Sequence, residues 1–375
     1  MFNFDKIPDR SATHAFKWER YKGKDIIPTW VADTEFSSPQ GVIDSLVTRS
    51  QHGLFGYTLP SEYTPAVEAV VAWCKQQYAW DVSPEWVVWT PGVVPAFNMA
   101  SKAFTEDNEG IIVQTPNYPP LLAAPQINQR ERFDVPTILV NGRWTLDFEA
   151  LEKHAAHPKA SLFIMCNPMN PVGTVLTEQE LSRVADICNK HGVTLCSDEI
   201  HCDLVLDDVT HIPAGKLPAL SDNSITLMAA SKTFNVAGLG TSFAIIPNAV
   251  QRRKFVKAGA GIVPWVTVMG LVATEAAFTL CDEWLNAQLD YLRANRDYLV
   301  NAINNINGLS CIAPEATFLL WVDASGLNVS DTQKWAESKG VGPSPGRDFG
   351  SPDFFRINYG CPRSMLEDIV SRLSS

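Results

Sequence analysis

Lys232 offers this chain its most versatile chemistry. It stands in Ala230-Ser231-Lys232-Thr233-Phe234-Asn235, directly after the apolar run ITLMA. An isolated lysine is usually a solvated charge. A lysine at the carboxyl end of a buried strand sits where open α/β sheets bind their ligands, and a desolvated amine there serves as nucleophile or base. Other apolar runs end in the same manner. After VTLCS come Asp198-Glu199-Ile200-His201, a carboxylate and an imidazole. After SLFIMC comes Asn167-Pro168-Met169-Asn170-Pro171-Val172-Gly173, whose Asn-Pro steps force extended or turn geometry and hold an amide at a defined point. After IIVQT comes Pro116-Asn117-Tyr118-Pro119, an aromatic ring able to stack on a flat heterocycle. After VVWT comes Pro91-Gly92-Val93-Val94-Pro95, a glycine turn whose following helix would offer free N–H groups to an anion such as phosphate. Each has a bland reading alone, as a packing tyrosine or an ordinary strand-to-helix turn. Together they form a coherent set.

The elements that position them follow from the pattern. Continuous apolar runs at 87–90, 111–115, 161–166, 193–197, 225–229 and 243–247 suggest strands buried on both faces. Helices fill several gaps; Thr177-Glu178-Gln179-Glu180 is a capping box and Gly192 can close the helix it opens. Alternating strands and helices predict an α/β fold, a mainly parallel sheet covered by helices on both faces. After about residue 250 the texture changes to a long helical stretch, EWLNAQLDYLRANRDYLVNAI, then a strand TFLLWV, a helix after Ser330 and a strand FFRIN. That predicts a second, smaller α+β domain. The expected division is 1–45 as an N-terminal segment contributing to the small domain and the substrate site, 46–260 as the large domain, and 261–375 as the small C-terminal domain. No repeat and no Ser- or Pro-rich linker is visible.

Bulk properties narrow the class. At 375 residues, 46% hydrophobic and 19% charged, the chain can bury a large core and is not disordered. Its 30 basic and 41 acidic residues give a net charge of −11, which repels nucleic acid and anionic membrane surfaces. The start, MFNFDKIPDRSATHAFKWERYKGK, lacks the apolar stretch of a signal peptide, and no run approaches a membrane span, so a cytoplasmic protein is expected. The eight cysteines form no CxxC pair and fit reduced core thiols better than disulfides or a zinc site.

NPMNPVG, SDEIH and SKTFN, in this order and spacing, resemble the pyridoxal-phosphate aminotransferase superfamily of fold type I. PTWVADTEF, GVVPA, SDEIH, PEATFLLW and FFRIN followed by CPR are similar to the branch of carbon-sulfur β-lyases that cleave cystathionine. The resemblance implies pyridoxal 5'-phosphate as cofactor, carried by Lys232 as a Schiff base, with Lys232 and Tyr118 as the catalytic pair. Asp198 would pair with the pyridine nitrogen and Tyr118 would stack on the ring. Asn170 would bond the phenolic oxygen with His201 close by. Backbone at Gly92, Val93 and Val94, with Ser231, would hold the phosphate. Tyr57 matches a tyrosine that reaches the phosphate from a second subunit, which implies a homodimer with shared active sites. Arg356 would bind the substrate carboxylate, with Asn170 and Ala32 also facing the substrate. No metal is implied.

The roles make physical sense. A carboxylate beside a pyridine nitrogen favours its protonated form and so its capacity as an electron sink, and a guanidinium fork suits a carboxylate. Four positions depart from the resemblance. Many aminotransferases have an arginine where Gly240 stands, the early motif more often ends Met-Asp-Phe than Thr34-Glu35-Phe36, and Cys281 replaces a common glycine. The expected reaction is β-elimination from cystathionine or a related cysteine conjugate to pyruvate, ammonia and a thiol; transamination is the alternative. A metal hydrolase built on Asp198, Glu199, His201, Cys202 and Asp203 lacks a second ligand cluster and leaves Lys232 without a role. A non-catalytic binding protein leaves Lys232, Asp198 and Arg356 all unexplained. No GxSxG elbow, P-loop or GxGxxG motif is present.

Overall fold

The computed structural model describes residues 2–10 and 12–375. Its larger sheet has eight strands: β1 Val87–Thr90, β2 Gly110–Thr115, β3 Glu131–Val140, β4 Arg143–Leu146, β5 Ala160–Cys166, β6 Thr194–Asp198, β7 Ser224–Met228 and β8 Ser242–Ile245. They lie in the order β1-β8-β7-β6-β5-β2-β3-β4. The pairs from β7 through β6, β5 and β2 to β3 are parallel. Only β8 and the hairpin strand β4 run against the rest. The α/β sheet read from the sequence is therefore present.

Burial on both faces is visible residue by residue, because successive side chains on a strand point to opposite sides. Ile112, Phe163, Met165 and Leu195 pack in one core with Phe148, Leu151, Leu181 and Val184, from the helices Phe148–Ala155 and Glu178–His191. Their neighbours Ile111, Val113, Leu162, Ile164 and Cys196 pack in another with Phe97, Leu121 and Phe255, from helices Val93–Phe104, Pro119–Ile127 and Ala249–Gly259. The capping box of Thr177 and Glu180 forms, and Gly192 ends that helix at φ +68°.

A second sheet orders β9 Ser310–Cys311, β10 Leu319–Asp323, β11 Ser344–Pro345 and β12 Phe354–Asn358 as β9-β10-β12-β11. It packs with Leu292, Leu299 and Ile303 of the helix Asp282–Ile303. Val341–Gly342 pairs in parallel with Ile27–Pro28, which brings the N-terminal segment onto this part of the molecule. Among the described residues, no helix is long and apolar enough to cross a membrane.

Candidate active site

A cavity of about 470 Å³ opens at the carboxyl ends of the central strands, and Ala32, Gly92, Val93, Val94, Tyr118, Asn170, Asp198, His201, Ser231, Lys232 and Arg356 all line it. Residues separated by more than 300 positions thus meet in one place. Tyr57 is outside it. Its side chain is 100% exposed and stands edge-on to Trp265 at 6.4 Å, in a separate surface groove.

Lys232 follows β7 and donates from Nζ to the carbonyl of Ala32 at 2.6 Å. Removal from water pushes its amine down to about 8; Asp33 and Asp198 oppose that shift and the positive Arg356 adds to it. At neutral pH a useful fraction of this amine is therefore unprotonated. Asp198, the last residue of β6, is buried and accepts from the Ile200 N–H at 3.2 Å. Burial, opposed by the Ile200 N–H and Lys232 and aided by Glu199, leaves its carboxyl raised to about 7. A cationic partner would restore the charged form. His201 is buried and pushed well below the usual imidazole range, first by desolvation and then by Lys232 and Arg356, and its Nδ1 has no hydrogen-bond partner among the described residues.

Arg356, on β12, is 3% exposed. It donates from Nη1 to Asn170 Oδ1 at 2.8 Å and from Nη2 to the Trp30 carbonyl at 2.9 Å and Ser344 Oγ at 3.2 Å. Among the described residues its Nε has no hydrogen-bond partner, and burial lowers the guanidinium to about 10. Among the described residues, no carboxylate forms an ion pair with it. A buried cation without a counter-ion is costly, and an anionic ligand group is the simplest remedy.

Gly92 precedes the helix Val93–Phe104 at φ +152°, a conformation that disfavours any side chain, and the first amides of that helix have no intrahelical acceptor. They stand at the cavity wall, with Ser231 also on the lining. An anion cradle, an aromatic wall from Tyr118, a buried acid, a deprotonatable lysine and an unpaired arginine are the donor set that pyridoxal phosphate with an amino acid requires. The residues present fit that group.

Sequence reading did not single out the residues that hold Ala32 in place. Asn358 donates to the carbonyls of Val31 at 2.7 Å and Asp33 at 2.6 Å. Asn235 accepts from the Thr34 N–H at 3.1 Å and donates to the carbonyls of Thr34 and Phe36. Both asparagines lie inside motifs already noted, SKTFN and FFRIN, yet only the fold reveals their shared target. Glu35, 1% exposed, accepts from Lys17 at 2.7 Å and Arg10 at 2.9 Å. Burial pushes Glu35 up, but these two cations outweigh it and leave the carboxyl below its usual value.

The acid cluster around Asp198 is dispersed. Glu199 pairs with His211 at 2.8 Å and accepts from Ser197 and the Ala214 N–H, while Asp203 accepts from Trp73, Thr233 and the Tyr78 hydroxyl. Among the described residues, no three His, Cys, Asp or Glu side chains converge on a point that could hold a metal.

Residues 32–373 match the family model described as aminotransferase class I and II. The chain is 35% identical to the cystathionine β-lyase PatB of Bacillus subtilis, over 100% of this chain and 99% of that protein. The solved structure of OvoB superposes with a TM-score of 0.96 at 44% identity, covering 99% of this chain and 98% of that one. A pyridoxal-phosphate-bound C-S lyase from Staphylococcus hominis superposes with a TM-score of 0.92 at 32% identity, covering 100% and 97%.

Proposed function

The chain belongs to the aminotransferase class I and II family, and from that premise we propose that it is a pyridoxal-phosphate-dependent carbon-sulfur β-lyase acting on cystathionine or related cysteine conjugates. The observation that carries this reading is the convergence of Lys232, Asp198 and the unpaired Arg356 on one cavity. When bound, the cofactor supplies an electron sink for charge that develops at the substrate's Cα.

Arg356 takes the α-carboxylate through its planar fork, with Asn170 and the Ala32 backbone beside it, and this fixes the direction of the Cα–H bond. Lys232 Nζ, whose neutral form burial brings within reach of physiological pH, receives the Cα proton. Asp198 would serve as counter-ion to the pyridine nitrogen, Tyr118 would stack on the ring, and Asn170 and His201 would be placed toward the phenolic oxygen. The amides following Gly92, with Val93, Val94 and Ser231, would hold the phosphate. Loss of a thiolate from Cβ releases 2-aminoacrylate, which tautomerises and takes up one water to give pyruvate and ammonia, while the thiolate takes up a proton and leaves as the thiol. Residues 46–260 serve as the cofactor domain, and 1–45 with 261–375 as the smaller one.

Two observations support elimination over transamination: the full-length likeness to PatB, and Gly240 at the place where many aminotransferases carry an arginine. Tyr57 supports a homodimer with shared sites, since a wholly exposed tyrosine beside the exposed Trp265 has apolar surface to cover. Sedimentation should show a dimer; a fully active monomer would contradict that assembly. Borohydride reduction of the holoenzyme followed by peptide mapping tests the lysine. The cofactor mass should sit on Lys232, and its appearance on another residue would refute the assignment.

A further inference from the structure

Four neighbours hold the guanidinium of Arg356. Asn170, the Trp30 carbonyl and Ser344 accept its hydrogen bonds at the edge. The fourth meets its face: Arg356 Cζ stands over the ring of Phe349, 4.9 Å from the centroid. Phe349 is 2% exposed and, like Arg356, lines the active-site cavity. Away from water, a cation is drawn to the negative face of an aromatic ring more strongly than it is at a surface.

The ring is itself fixed. Phe349 ends the short helical turn Gly346–Phe349, and Gly350, at φ +92°, reverses the chain after it. The turn folds back so tightly that a Cβ on Gly346 would collide with the Ser351 and Phe354 carbonyls. Trp321 of β10 packs on the Phe349 ring with centroids 5.3 Å apart, and Trp321 in turn stacks on Phe354 at 5.1 Å. The Phe349 carbonyl accepts from the Asn117 N–H at 3.4 Å, beside Tyr118. One segment, 344–349, therefore brings a hydroxyl to the edge of the guanidinium and a ring to its face. Hydrogen bonds at the edge fix where the fork points, and a ring against the face keeps its plane from tilting. A bidentate carboxylate needs both.

We propose that Phe349 is a positioning residue for the substrate carboxylate, its ring holding the plane of Arg356 so that the carboxylate meets the fork flat. This rests on the reading of Arg356 as the carboxylate anchor and not on the choice between elimination and transamination. Replacing Phe349 by pentafluorophenylalanine, through nonsense suppression, nearly keeps the shape of the ring but removes its negative face. The holoenzyme is titrated with L-alanine and with L-alanine methyl ester, which lacks the carboxylate charge, and binding is followed by cofactor absorbance. The fluorinated ring should weaken L-alanine about 5-fold and leave the ester within about 2-fold, with monofluorophenylalanine in between. In the apoenzyme, Phe349→Leu should lower the folding equilibrium constant about 5-fold more when Arg356 is present than in an Arg356→Met background, measured by urea unfolding. An unchanged affinity for L-alanine, an equal loss for L-alanine and the ester, or a cycle without coupling would each overturn the proposal. If Arg356→Met leaves the preference for L-alanine over its ester intact, the carboxylate reading fails and the proposal with it. Loss of that preference in Arg356→Met, together with a fluorinated ring that has no effect, refutes the role of Phe349 alone.

Discussion

Arg356 Nη1 lies 2.8 Å from Asn170 Oδ1, so a strand of the small sheet and the loop after β5 of the large sheet meet in a single hydrogen bond at the candidate substrate site. Both partners are buried. Asn170→Ala leaves part of a buried guanidinium unsatisfied, and the expected result is a rise in KM on the order of 10-fold or more, with a smaller change in kcat. Steady-state kinetics with S-methylcysteine checks this; an unchanged KM would mean that Asn170 does not position Arg356.

The amine of Lys232, lowered by burial to about 8, makes cofactor capture pH-dependent in a defined window. The neutral amine is the nucleophile, so the rate at which apoenzyme takes up pyridoxal phosphate should climb as pH rises toward about 8 and level off above it. An ordinary lysine would keep gaining up to about pH 10.4. Stopped-flow absorbance between pH 6 and 10 separates the two.

For Asp198 the sign is opposite to that of most paired carboxylates. Its folded-state value of about 7 lies above the ordinary 3.8 of an exposed aspartate, so its contribution to stability is fully present at low pH and is lost as pH rises from about 4 to about 7. The loss amounts to on the order of 4 kcal/mol at about 1.4 kcal/mol per pH unit. Asp198→Asn does not titrate. The stability of the asparagine apoenzyme minus that of wild type should grow by that amount between pH 4 and 7 and then stay constant, measured by urea unfolding. A difference that does not vary with pH would remove the case for a desolvated acid.

Lys17 and Glu35 hold the N-terminal helix against the loop that carries Ala32. Lys17→Met leaves the buried Glu35 carboxylate with only Arg10 and the Trp18 indole N–H, with an expected cost of about 3 kcal/mol. Adding Glu35→Leu should recover part of that loss. Thermal or urea unfolding of the single and double variants decides it; an additive, larger loss in the double variant would argue against a coupled pair.

Much of this architecture could be read before any coordinates. FFRIN is the strand β12 residue for residue, and each apolar run from VVWT to FAIIP overlaps a strand. Such runs are legible because strands buried on both faces need continuous hydrophobicity. The hairpin of β3 and β4 was not expected. ERFDVPTILV alternates buried with exposed residues and reads as edge-like, although Asn141-Gly142 at its tip is a strong turn signal. At the site, residues that follow strands were recoverable because topology sends them to one edge. The supports were not. Ser344 and the Trp30 carbonyl reach Arg356, and Asn235 and Asn358 hold the Ala32 loop, through contacts that only the fold creates. Glu35 left a faint trace as a departure from Met-Asp-Phe, but its burial against Lys17 gave no local signal.

The central claim is that Lys232 and its neighbours direct elimination, and product stoichiometry tests it most directly. Holoenzyme is given cystathionine alone, with no keto acid, and pyruvate is counted per active site. The account predicts many equivalents of pyruvate, matched by ammonia and a thiol, and none from alanine, which lacks a leaving group at Cβ. Turnover that stops after about one equivalent and resumes only when 2-oxoglutarate is added would make the enzyme an aminotransferase and contradict the account.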